Sequence, residues 1–302
     1  MINNLFCKHA AILLKNKSVF QPDKIPVMKK NVFENLLIVT IIFILASCKT
    51  PRYAYSPSAH NVPVITQKGD GKIGALYSNN TLGGSAEGTN AINNTANGFD
   101  VQGAYALSDN WAIQASHFQR WETTTGGSDS VTIKYRRNLT EIGGGYYYAL
   151  SENKKTFIQF FAGLGLGKFS FTDHSINGDF FHQSNIFKFY IQPAFLFRSK
   201  GSFSGAVDVR GSFIKYNSIK TNYTADALTR YKLDNLNGGA KFFLEPGFTG
   251  SFGFKNIPGL RIEIQGSVSI FPSDNPFNYR KSNFSIGSYL DFGSLKRRNI
   301  KP

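Results

Sequence analysis

Between Leu260 and Ile270, residues Leu260, Ile262, Ile264, Val268 and Ile270 share one face, while Arg261, Glu263, Gln265, Ser267 and Ser269 take the other. Only a β-strand sends alternate residues to opposite faces. The same period runs through Phe187 to Arg198, where Phe187, Phe189, Ile191, Phe195 and Phe197 oppose Lys188, Tyr190, Gln192 and Arg198, and through Phe203 to Phe213, where Val207 and Val209 oppose Asp208 and Arg210. Composition agrees with the pattern. The 302 residues include 28 Phe, 14 Tyr and 29 Gly with only 18% charged, whereas helical architectures lean on Ala, Leu, Glu and Lys. An all-β protein is expected.

Read in order, the period-two segments predict about ten strands, near 71–79, 97–107, 111–122, 130–150, 156–172, 185–198, 203–217, 231–253, 259–271 and 282–292. Four connections are short (Ser108 to Asn110, Ser151 to Lys155, Ser199 to Ser202, Lys255 to Pro258). Five are long and polar (80–96, 123–129, 173–184, 218–230, 272–281), and the two kinds alternate strictly. That alternation predicts an antiparallel up-and-down transmembrane β-barrel with short periplasmic turns and longer outer loops. A sandwich with Greek-key crossovers would scatter its loop lengths. In such a barrel Phe99, Val101, Tyr105 and Leu107 face lipid, and Asp100 and Gln102 face the lumen. Phe157 to Leu166 is apolar on both faces, with Gly163 and Gly165 giving room for neighbouring backbone or bulky lumen groups.

The N-terminal region has a different logic. Met28-Lys29-Lys30 precedes a nearly unbroken apolar run from Leu36 to Leu45, followed by Ala46-Ser47-Cys48. The run is too short to cross a bilayer, which takes about 20 residues, and its flanks suit a secretory signal. The ending Leu45-Ala46-Ser47-Cys48 resembles the bacterial lipobox. That resemblance implies cleavage before Cys48 by lipoprotein-processing machinery, a diacylglycerol on its thiol, and acylation of the new amino terminus with a palmitate-type chain. The expected organisation is residues 1–27 as an extended or non-native N-terminus, 28–47 as signal peptide, 48–69 as a tether broken by Pro51, Pro57 and Pro63, 70–292 as barrel and 293–302 as a basic tail. Cys7 would leave with the leader, so oxidation state would not bear on the mature chain.

Two further segments carry a resemblance. Tyr55, Pro57, Asn61, Pro63, Lys68, Gly69 and Asp70 form a pattern similar to the segment after the lipid cysteine in Bacteroidetes outer-membrane barrel lipoproteins of Gram-negative cells. Ser285 with Gly287-Ser288-Tyr289-Leu290-Asp291-Phe292 resembles the last-strand signal that barrel-assembly machinery reads, although here a basic tail follows Phe292. Together these imply a lipid-anchored protein of the outer membrane, in contact with its lipid, with no defined activity.

The chain carries a net charge of +15; from Cys48 onward 28 Lys and Arg face 17 Asp and Glu, a net of +11. Outside the cytoplasm a basic protein meets anionic head groups and polysaccharide, so no nucleic-acid partner is expected. Glu141, Lys188, Asp208, Arg210, Lys241, Glu245, Arg261 and Glu263 are expected in the lumen. They would form a salt-bridged filling rather than a channel, because about ten strands enclose little more than the side-chain-filled eight-strand case. Asp173, His174, Asp179 and His182 cluster within ten residues, but their spacing matches no ligand template, and His117 reads as a rim hydrogen-bonder. Gly143-Gly144-Gly145 lies inside a strand, where no helix N-terminus can complete a phosphate cradle. No catalytic, cofactor or metal site is expected, and a structural, adaptor or narrow-transport role with the outer loops as recognition surface fits best. The alternatives are a barrel enzyme acting on lipid or peptide at the rim, and a soluble lipocalin-like periplasmic lipoprotein with its apolar faces turned inward around an apolar ligand.

Overall fold

The computed structural model describes residues 52–79, 91–126, 131–176, 178–199, 202–272 and 277–293. Cys48, the leader before it and the basic tail after Gly293 lie outside the described residues. The strands are β1 (Tyr53–Tyr55), β2 (Gly71–Asn79), β3 (Ala91–Ala106), β4 (Trp111–Gly126), β5 (Thr132–Ala149), β6 (Thr156–Ser175), β7 (Gly178–Arg198), β8 (Phe203–Thr221), β9 (Lys241–Gly253), β10 (Leu260–Val268), β11 (Asn278–Tyr279) and β12 (Ser282–Asp291). Among the described residues, β2 to β10 and β12 close a ten-stranded barrel in chain order. Every pairing in the wall is antiparallel, and the seam joins the last strand to the first, with Leu290 opposite Ile73 and Ile286 opposite Tyr77. Closure leaves no unpaired strand edge, which a membrane core requires of any spanning sheet. The chain is a transmembrane β-barrel of up-and-down topology.

The wall sorts its residues as the alternation predicts. Phe99, Val101, Tyr105 and Leu107 are exposed on the outer face, and Asp100 and Gln102 are buried in the lumen. On β7 the outward residues Phe187, Phe189, Ile191, Phe195 and Phe197 form one section of an apolar belt; on β8 Phe203, Val207, Val209 and Phe213 continue it. Each section is about eleven residues tall, the length of a tilted strand that crosses a bilayer. This arrangement excludes the lipocalin-like alternative, whose apolar faces would point inward along these strands.

Strand ends differ from the expectation on the long-loop side. Strand β3 begins at Ala91, β4 continues to Gly126, and β6 and β7 run on through most of the expected loop 173–184 to a tight link between Ser175 and Gly178. Beyond the belt the wall inverts its polarity. On β6 the apolar residues Ile158, Phe160, Leu164 and Leu166 face outward, and then Phe169 and Phe171 face inward while Lys168 is exposed. The inward side becomes an ordinary hydrophobic core of Tyr135, Phe169, Phe171, Tyr216, Phe243 and their neighbours. Past residue 172 the inward positions are the polar Asp173 and His182 and the outer ones His174, Asp179 and Gln183, so no one-face hydrophobic pattern marks the strand there and 173–184 reads as a loop.

The expected strand 231–253 is shorter than the sequence suggests. Lys241–Gly253 is strand β9; upstream lie helix α1 (Ala225–Arg230), capped by the side chain of Thr224, and a 3-10 turn at Asp234–Asn237. Leu233 and Leu236 bury themselves in the aromatic core from this segment. The long connection between β8 and β9 thus folds over one mouth of the barrel.

The largest departure concerns the expected tether. Arg52 to Ile65 are buried with the exception of half-buried Val64, and they occupy the lumen. Only Tyr53–Tyr55 pair as a strand, parallel to β11. Pro57 and Pro63 lack an N–H and are restricted in φ, so the segment runs extended along the inside of the wall and is held mainly by side chains.

Candidate functional site

The lumen and the segment threaded through it form the candidate site. At the long-loop mouth Arg52 pairs with Asp173 of β6, and the hydroxyl of Tyr223 donates to the same Asp173 oxygen at 2.5 Å. The Arg52 guanidinium also lies 3.9 Å from the centre of the Tyr231 ring. Burial works against the charged form of Arg52, but the charge and hydrogen bonds of Asp173 outweigh it and raise its pKa; burial and the bond to Asp173 raise that of Tyr223. Both groups therefore stay protonated across the physiological range.

One step further in, the Tyr53 carbonyl accepts a 2.9 Å bond from Arg137, and Arg280 stacks over the Tyr53 ring. Both arginines converge on Glu122, with Arg137 Nη1 2.7 Å from its Oε2 and Arg280 bonded to its Oε1. The carbonyl of Ala54 accepts from the Tyr216 hydroxyl at 2.9 Å. The Tyr55 hydroxyl donates to Glu245 at 2.6 Å while its ring stacks on Phe243, centroids 4.3 Å apart.

Deeper contacts follow in chain order. The Ala59 N–H donates to Asp100, His60 Nδ1 lies 2.6 Å from Asp208 Oδ2, and Asn61 Nδ2 donates to the carbonyls of Gly103 and Ala115. Gln159 donates to the Pro63 carbonyl at 2.7 Å. At the short-turn mouth Thr66 donates to Asp70 through both its N–H and its hydroxyl, and the Gly69 N–H donates to the Ala106 carbonyl.

The eight charged lumen residues expected from the sequence all face inward and are buried. Six of them join the contacts that fill the wall. Lys188 Nζ is 3.0 Å from Glu141 and 3.8 Å from Glu245; Arg210 reaches Glu141 at 3.2 Å and holds the Gln192 carbonyl oxygen through Nε and Nη2. Gln192 in turn donates to Asp208. Glu263 pairs with Lys72 at 3.0 Å, a lysine the expected set lacked. Arg261 instead donates to Ser204, Ser251 and the Ser202 carbonyl, and Lys241 donates to the Gly238 carbonyl at the opposite mouth. Ion pairs this well buried are held by mutual compensation, since removing one partner strands the other charge.

The titratable cluster at 173–182 divides between the two faces of the wall. Asp173 and His182 point inward, Asp173 to Arg52 and His182 into an aromatic stack against Phe171; His174 and Asp179 pair with each other at 2.8 Å on the exposed side. Among the described residues, no three His, Cys, Asp or Glu side chains converge as metal ligands. His117 sits on the outer face, its Nδ1 2.9 Å from the Thr140 hydroxyl. Gly143 lies inside β5 and Gly163 inside β6, and both face the hydroxyl of Tyr190; a Cβ at Gly163 would stand 2.6 Å from that oxygen. These glycines make room for a large lumen side chain.

Arg52, Tyr55, His60 and Asn61 are the site residues that sequence reasoning left in a solvated tether. One signal for their burial was present in Val62, Val64 and Ile65, an apolar set out of place in such a tether.

No family model matches the chain, and no curated protein matches it. Solved structures of similar architecture include the translocator domain of the autotransporter NalP from Neisseria meningitidis, 9% identical with a TM-score of 0.46 over 86% of this chain and 95% of that one. An outer membrane channel from Pseudomonas putida F1 is 9% identical with a TM-score of 0.41, over 77% of this chain and all of that one. OmpT, an outer membrane protein of Vibrio cholerae, is 8% identical with a TM-score of 0.25 over 78% of this chain and all of that one. The reading of the site rests on the chain's own residues.

Proposed function

We propose that the protein is a lipid-anchored outer-membrane barrel with a structural or adaptor role, which presents a rigid extramembrane rim and keeps its lumen closed. One observation carries the reading: the lumen is occupied from mouth to mouth by the chain's own residues 52–69, each level tied to the wall. The outward belt supports a membrane setting, and the lipobox-like Leu45-Ala46-Ser47-Cys48 supports the outer membrane and an acyl anchor on Cys48. Outer-membrane lipid and the processing and assembly machineries are the partners this reading requires, and the exposed wall beyond the belt is the recognition surface. No enzymatic step, metal or cofactor is part of it.

The experiment has two arms. Cys48→Ala should abolish metabolic labelling with palmitate and leave a longer precursor; unchanged labelling removes the anchor. The purified full-length barrel in planar bilayers should give no porin-like conductance, and large stable channels would replace the structural role with permeation.

A further inference from the structure

We infer that the mature amino terminus is displayed on the long-loop face of the membrane, so that the acyl group of Cys48 is held on the outer side of the cell and not in the leaflet facing the short turns. The acyl group rests on the lipobox reading above. That Cys48 is the terminus rests on the same reading; the face on which it lies rests on the threaded segment.

The direction of threading is set by its partners. Arg52 meets Asp173, two residues from the long-loop end of β6, and Tyr53 pairs with Asn278 in the long connection between β10 and β12. From there the contacts pass to Tyr216, Asp100, Asp208 and Gln159 in turn, and end at Ala106 beside the short turn that joins β3 to β4. The segment therefore enters at the long-loop mouth and leaves at the short-turn mouth, where β2 begins the first crossing of the wall. In membrane barrels the short turns face the periplasm and the long loops face outward.

Covalent reach fixes the rest. Four peptide steps separate Cys48 from Arg52, and an extended chain covers at most about 3.6 Å per residue, so Cys48 stays within about 14 Å of Arg52. Asp173 lies fifteen residues along β6 from Ile158, near the short-turn edge of the belt. At about 3.3 Å per residue and a tilt of about 45°, that is about 35 Å along the membrane normal. The available chain cannot return to the short-turn side. A terminus there would require the segment to withdraw, which breaks Arg52–Asp173, Tyr55–Glu245 and His60–Asp208 and leaves three carboxylates buried without those partners.

The test is cysteine labelling of intact cells with a membrane-impermeant maleimide. Thr50→Cys should label without permeabilisation, like Ile176→Cys in the exposed β6–β7 link and unlike Glu152→Cys in a short turn. Lys49→Cys provides a second position should Thr50→Cys fail to give the heat-modifiable band of a folded barrel. Labelling at either position only after permeabilisation would overturn the inference. Palmitate incorporation in the same variants is scored separately. External maleimide labelling without palmitate keeps the threading and removes the lipobox reading, whereas palmitate without external labelling does the reverse. Wild-type protein, with Cys48 as the sole thiol of the mature chain, reports whether that thiol is blocked.

Discussion

His60 and Asp208, separated by 148 positions, meet with Nδ1 2.6 Å from Oδ2, and both side chains are almost wholly removed from solvent. A single bond of this kind ties the segment that precedes the first wall strand to the short-turn third of β8. Loop-closure cost grows slowly with separation, so the long excursion between them adds little to the cost of ordering the pair. The consequence is that the threaded segment and the wall should lose stability together.

Among the described residues His60 and Gln192 are the hydrogen-bond partners of Asp208, and His60→Ala removes one of them. Leaving a buried carboxylate under-satisfied costs about 1–3 kcal/mol. The expected result is a lower temperature for loss of the heat-modifiable barrel band in detergent. Asp208→Asn, which lowers the demand on the site, should combine with His60→Ala for less than the sum of the two effects. Additive losses would show that the two residues do not act as a pair.

Gly163→Val tests the space under Tyr190. The glycine faces both the Tyr190 hydroxyl and the Ile142 carbonyl of the neighbouring strand. Overpacking of this kind costs about 1–3 kcal/mol. Tyr190→Ala should relieve only part of it, because the carbonyl is backbone and cannot move out of the way. Full recovery in the double variant, read from the same unfolding transition, would assign the whole clash to the tyrosine ring.

Much of this architecture is legible in the chain, and what is not has a physical cause. Leu260 to Ile270 reads as a wall strand because one alternate set meets lipid and the other meets a polar lumen. The short turns at 108–110, 151–155, 199–202 and 255–258 are legible because few residues fit between paired strands. The ends of β6 and β7 within 173–184 are not, because there Asp173 and His182 face inward while His174, Asp179 and Gln183 lie on the outer side, so no apolar outer face marks the strand. Residues 52–69 are legible only through the apolar Val62, Val64 and Ile65, because their prolines and polar side chains suit a solvated tether and a hydrogen-bonded lumen equally well. The partners that distinguish the two, Asp173, Glu245 and Asp208, lie more than a hundred positions away.

The two faces of β10 should respond oppositely to charge. Ile264 points outward from the belt, and Gln265 is buried, donating to Glu263 and Gln102. An arginine at the lipid midplane costs about 2–4 kcal/mol. Ile264→Arg should therefore reduce the folded fraction recovered from membranes more than Gln265→Arg, whose new charge lies beside Glu263. The opposite ranking would mean that the belt does not face lipid.

The last prediction separates the threaded segment from the wall side chains as the element that closes the lumen. About ten strands enclose a bore only slightly wider than one that side chains fill by themselves, so an added extended segment is a large part of what occupies it. Deleting residues 53–66 should remove Tyr55, His60, Asn61 and their bonds while leaving all ten wall strands and the aromatic core contributed by Phe169, Phe171, Tyr216 and Phe243. In planar bilayers the deletion variant should show small, stable channels where the full-length protein shows none, provided its heat-modifiable band confirms a closed barrel. A milder variant, Tyr55→Phe with His60→Ala, removes two of the anchors without removing any of the backbone, and should give brief openings. If the folded deletion variant stays silent, the ion pairs of Glu141, Lys188 and Arg210 close the bore unaided. The threaded segment would then serve only to carry the amino terminus across the membrane.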